Sequence, residues 1–140
     1  MYRNMLFAAL LMLAMVGAAV AQDSNKAAGT DFQPPDSFKE VSTLVDLPDF
    51  LPGLGTLYVD PDTLPAGPFL AYDHDDKFVS TIYMIPLEAM NNQDNFDDLK
   101  AFGAKTVSVS MMYNAGHPGV EEPHYHVILW HVPQDEANLE

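Results

Sequence analysis

Thr106-Val107-Ser108-Val109-Ser110-Met111-Met112-Tyr113 is the clearest strand pattern in the chain. Val107, Val109, Met111 and Tyr113 alternate with Thr106, Ser108, Ser110 and Met112, the period of two expected of a strand with two unlike faces. A second β-rich run, residues 124–132, follows, and the stretch between them carries Gly116, Pro118 and Gly119. Those turn formers predict an antiparallel pair across a long loop, with His117 at the open end near His124.

Working back from this pair, residues 69–72 and 78–85 are two further β-rich runs around Asp73-His74-Asp75-Asp76-Lys77, a hairpin signal in which His74 is expected to be solvated. Residues 56–60 are β-prone. Leu51-Pro52-Gly53-Leu54-Gly55 reads as a turn, and residues 61–68, with three prolines and a glycine, as a loop. Pro86 suits the first turn of a helix, where its missing N–H costs nothing. Leu87, Met90, Phe96, Leu99 and Phe102 then recur at helical spacings, interrupted by Asn91-Asn92-Gln93. One broken helix or two short ones are expected over one sheet face, with Asp94 or Asn95 as the second cap and Gly103 as the stop. The fold class is therefore α+β: a single domain, mainly antiparallel sheet.

The chain ends differ in character from this middle. Arg3 precedes an apolar or small-residue run over residues 5–20, and Ala19-Val20-Ala21 has the small-x-small form of a cleavage site, so residues 1–21 read as a secretory signal peptide. The run is short for a bilayer span, and no stable membrane insertion is expected after cleavage. Residues 22–37 read as a flexible leader, 38–133 as the α+β domain and 134–140 as a fraying acidic tail. The protein is then exported, to a periplasmic or extracellular space. Cleavage would keep all 20 acidic residues and five of the six basic ones, a formal charge of −15 that opposes binding to nucleic acid or anionic lipid. With no cysteine there is no disulfide, thiol nucleophile or lipoprotein anchor.

Four of the five histidines fall between His117 and His131. On an extended strand Glu122, His124 and His126 share a face, and alternate residues lie roughly 7 Å apart, close enough for two imidazoles to meet on one ion. Pro123 disfavours helix for Glu122 and so supports the extended approach of its carboxylate. His124 and His126, with Glu122 or His117 completing the set, form a candidate site for one divalent transition metal: zinc, copper or iron. His131 faces the other way and reads as a surface or interface residue. The bland alternative is that each ring hydrogen-bonds a neighbour and Glu121-Glu122 is part of a solvated loop. No Gly-x-Ser-x-Gly, phosphate loop or His-Glu-x-x-His is present. Gly119-x4-His124-x-His126 has the form of a first cupin motif, but the downstream carboxylate and a second motif are missing.

Several stretches are similar to one family. Leu51-Pro52-Gly53-Leu54-Gly55, Leu57-Tyr58-Val59-Asp60-Pro61, Leu64-Pro65-Ala66-Gly67-Pro68, Ile82-Tyr83-Met84-Ile85-Pro86-Leu87 and above all residues 114–126 resemble a small secreted bacterial family of unknown function, represented by a Thermus protein under extracytoplasmic sigma and anti-sigma control. The resemblance implies a compact α+β domain, homo-oligomers and an envelope-stress setting, and implies no reaction. Two function classes stay open: a metal site serving binding, storage or chemistry on a small-molecule ligand, and a noncatalytic oligomeric envelope protein whose histidine motif is structural.

Overall fold

Six strands form one antiparallel sheet in the order β1-β2-β3-β4-β6-β5, with β1 at Lys39–Glu40, β2 at Thr56–Val59, β3 at Phe69–Tyr72, β4 at Phe78–Pro86, β5 at Ser108–Asn114 and β6 at His124–Trp130. The structure is a computed structural model that describes residues 31–100, 102 and 105–140. The signal segment 1–21 and residues 22–30 of the leader lie outside the described residues. Among the described residues no helix is long and apolar enough to cross a membrane.

Both expected antiparallel pairs are present. In the β3–β4 hairpin, Asp73 Oδ1 accepts the backbone N–H groups of Asp75 and Lys77 at 2.9 and 3.0 Å, which explains why a turn full of aspartates buries one of them. β5 and β6 pair from Ser108↔Trp130 to Asn114↔His124. β4 runs between β3 and β6, and every residue but its last is buried.

The two faces have separate cores. One gathers Leu57, Val59, Phe69, Ile82, Met84, Ile128 and Trp130, sealed by the irregular segment after β1 through Val41, Val45 and Leu47. The other holds Leu70, Tyr72 and Phe78 beneath Phe32, Phe38 and Phe102. His131 belongs to this second layer rather than to the surface. It is buried, its ring lies 4.6 Å from that of Phe78, and its Nε2 is 2.9 Å from Thr81 Oγ1.

The helical part is smaller than the spacing predicts. Among the described residues a single α-helix, α1, spans Leu87–Asn91 and buries none of its residues. Residues 94–100 form no helix, so neither Asp94 nor Asn95 caps a second one. Gln93 and Asp98 sit at φ 62° and 59°, left-handed geometry that breaks the helical hydrogen-bond ladder on both sides of Phe96. The carboxylates of Asp94, Asp97 and Asp98 would also crowd one another on so short a helix. Phe96 and Leu99 remain exposed, and cover for the sheet comes instead from Phe102, while the hydroxyl of Tyr83 on β4 donates to the Lys100 carbonyl.

Two stretches expected to stand off the domain lie against it. Phe32, within the 22–37 leader, packs on Phe78 at 5.2 Å between ring centroids. In the 134–140 tail Leu139 is buried, its carbonyl accepts the Gly53 N–H at 2.9 Å, and the Asn138 carbonyl accepts that of His74 at 3.1 Å. His74 is exposed yet held, stacked on Phe50 at 3.6 Å.

Candidate metal centre

The β5–β6 connection brings a histidine back over the strand. His117 and Val120 exchange backbone hydrogen bonds, each 2.9 Å, around Pro118-Gly119, and Gly119 has φ 90°. Proline at the second position and a left-handed glycine at the third are the signature of a type II turn. The approach to this turn needs Gly116 as well: at φ 125° a Cβ there would collide with the Glu121 carbonyl. Asn114, opposite His124 at the end of β5, accepts the Gly116 N–H at 2.8 Å and starts the bend.

Strand alternation does the rest. His124 and His126 point to the same face as Ile128 and Trp130, and both are buried. His124, His126 and His117 together present ligand atoms that all lie within 4.8 Å of one another. Their ring centroids are 4.9 Å apart for His117–His124, 5.7 Å for His117–His126 and 4.9 Å for His124–His126.

Backbone carbonyls orient two of the rings. His124 Nδ1 lies 2.7 Å from the Glu122 carbonyl and His117 Nδ1 3.0 Å from the Pro118 carbonyl. A carbonyl can only accept, so each Nδ1 carries a proton and the Nε2 of a neutral ring presents its lone pair. His124 Nε2 and His126 Nε2 are 3.0 Å apart. Two nitrogens bound to one zinc at about 2.05 Å in tetrahedral geometry stand about 3.3 Å apart, so this pair is already near ligand spacing. Burial, then the neighbouring His124 and His117, push the His126 pKa down to about 4, which keeps that ring neutral at physiological pH.

Glu122 stands elsewhere. Its side chain is exposed and is not among the converging ligand atoms; its contribution is the backbone oxygen that orients His124. The reason is local. Glu122 precedes Pro123 and β6, so it falls outside the pleat that aligns His124 with His126. The converging set is thus three imidazoles, which for a tetrahedral ion leaves a fourth position open.

The tertiary fold supplies the surroundings of this set. In register with His126 lie Met84 on β4 and Met112 on β5. Beside His126 and His117 opens a cavity of about 290 Å³, walled by residues such as Leu44, Val45, Leu54, Leu57 and Phe69. Its polar lining residues are Asn114, His117 and His126, all near the β5–β6 loop, and it has no charged lining residue. The walls from residues 41–54 follow no periodicity, and only the strand register places them over the histidines.

No family model matches the chain, and no curated protein is similar to it. A solved structure is: the crystal structure of hypothetical protein TTHB210 from Thermus thermophilus superposes with a TM-score of 0.58, at 45% sequence identity, over 64% of this chain and 88% of that one. Identity at that level over most of the Thermus chain carries common descent as well as a common fold, and the present chain belongs to the same family as this hypothetical Thermus protein.

Proposed function

We propose that the protein binds one divalent transition metal through His117, His124 and His126. The observation that carries the reading is the meeting of His124 and His126 Nε2 at 3.0 Å, with His117 above them and no carboxylate in the group. The His124 Nε2 lone pair needs a partner at that point, which is either the His126 Nε2 proton or, with His126 in its other tautomer, an ion held by both rings. The carbonyl partners of His117 and His124 are the orienting contacts typical of metal-ligating imidazoles. Loading would draw the three rings together, since ligand atoms spread over as much as 4.8 Å stand wider than ligand spacing, and His117, half-buried on a turn, is the one placed to move. Zinc fits three neutral nitrogens and an open place; Met84 and Met112 beside His126 make copper the competitor to measure.

Calorimetry on metal-free protein made without a histidine tag tests this. One zinc or copper per chain is expected, lost in the H124A/H126A double variant, kept in H74A, and weakened on acidification because protons compete for the imidazoles. Wild-type protein that binds no more tightly than the double variant would refute the reading.

A second reading, a noncatalytic oligomeric envelope protein with a structural histidine cluster, is favoured by a different observation. Val109, Met111 and Tyr113 on edge strand β5 are 60%, 57% and 57% exposed, an apolar strip that a second copy of the chain would cover. Light scattering across concentration and salt checks it: a monomer throughout counts against the assembly. Export through residues 1–21 is part of both readings, and the terminal sequence of exported material, expected to start at Gln22, tests it.

A further inference from the structure

We infer that the cavity beside the three histidines holds the tail of a medium-chain monocarboxylate whose carboxylate takes the open position on the metal. This rests on the metal reading above and adds the ligand class. Three neutral imidazoles leave a divalent ion with its full charge, and an uncompensated charge next to an apolar cavity is costly. An anionic fourth ligand relieves that cost, and no lining residue supplies one: the lining has neither aspartate nor glutamate. The ligand must therefore bring its own negative group to the histidine end.

The rest of the molecule must be hydrocarbon. Away from Asn114, His117 and His126 the walls are leucine, valine, proline, phenylalanine, methionine and a glycine, with no donor or acceptor side chain to satisfy a second polar group. A polar substituent placed there would be buried without a partner. Size sets the class further. At about 30 Å³ for each water-sized group, 290 Å³ accommodates about ten heavy atoms, the size of octanoate. The elements divide the work: β6 and the Pro118-Gly119 turn present the head-group site, while the segment over Val41, Val45 and Leu54 forms the tail wall.

The test is a titration of zinc-loaded and metal-free full-length protein with the straight-chain series from acetate to dodecanoate, after zinc binding has been measured separately. Affinity for the zinc-loaded protein should rise about fourfold per methylene, the value of burying one such group, and level off near eight to ten carbons. Metal-free protein should bind octanoate at least tenfold more weakly. Leu54→Trp should fill the tail space, flatten the chain-length dependence and leave zinc affinity within about twofold. If Leu54→Trp does not fold, Val45→Phe at the same wall makes the same test. Failure of zinc to bind sinks the metal reading and this inference together. Zinc binding with octanoate no tighter than acetate overturns this inference alone, as does equal octanoate affinity with and without metal.

Discussion

β4 and β5 are both neighbours of β6, pairing with it over seven residues each, yet eight of the nine residues of β4 are buried while none of the seven in β5 is. The difference lies in what covers them. Over β4 both faces are layered, by the segment after β1 on one side and by Phe32, Phe38 and Phe102 on the other. Among the described residues neither face of β5 has such a layer. Equal hydrogen bonding therefore comes with very unequal burial, and His124 and His126 sit on β6, at the seam between a covered half and an open one. The covered half holds both the geometry of these rings and, beneath the segment after β1, the cavity beside them.

Mutation separates the two halves. Phe78→Ala, in the doubly covered half, should cost about 3–5 kcal/mol in denaturant unfolding and risks preventing folding altogether. Gly116→Ala, in the loop beyond the open half, should cost about 1–3 kcal/mol through its left-handed backbone and the Glu121 carbonyl, and should weaken metal binding more than it weakens the fold. A metal affinity unchanged in folded Gly116→Ala would show that His117 is not a ligand.

Acidification of the metal-free protein gives a smaller, graded effect. Burial holds His126 at about 4 and lowers His131 as well, so the folded state resists protonation while the unfolded chain protonates near pH 6.5. The unfolded state then binds more protons, and stability should fall as pH drops from about 6.5 towards 4, by at most about 1.4 kcal/mol per pH unit for each histidine, with no such loss above pH 7. Urea melts at pH 7, 6 and 5 measure this, and a smaller slope is expected in H126Q. The smallest effect is Val109→Thr on β5, within about 0.5 kcal/mol for a monomer. A markedly larger loss, appearing only at high protein concentration, would mean that another copy covers the strip.

Much of this architecture could be read from residues. Alternation over 106–113, the aspartate-rich turn between residues 72 and 78, and the glycines and proline before Val120 each encode their structure locally, which is why the two hairpins follow from the sequence. Where the structure departs, the cause is tertiary. Phe96 and Leu99 keep helical spacing, but Gln93 and Asp98 in left-handed geometry prevent the helix. Leu139 lies in an acidic tail, and only the folded sheet offers its side chain a core and its carbonyl the Gly53 N–H. The site divides in the same way. His124 and His126 are paired by strand period alone and His117 by turn chemistry, whereas Glu122 contributes a backbone oxygen, a role no side-chain pattern reveals. Much of the cavity wall comes from residues 41–54, a segment without period that acquires meaning only once it is laid across β2, β3 and β4.

The docked end of the chain has a practical consequence. Leu139 and Asn138 clasp both Gly53, within the Leu51–Gly55 turn beside the cavity, and His74, at the tip of the first hairpin. Trimming by a carboxypeptidase past Leu139 would release the clasp and slacken one side of the cavity while leaving His117, His124 and His126 in place. If the metal and carboxylate proposals hold, protein nicked in this way during purification would still load metal and would discriminate poorly among chain lengths. A preparation of mixed length could thus pass for one with mixed affinity.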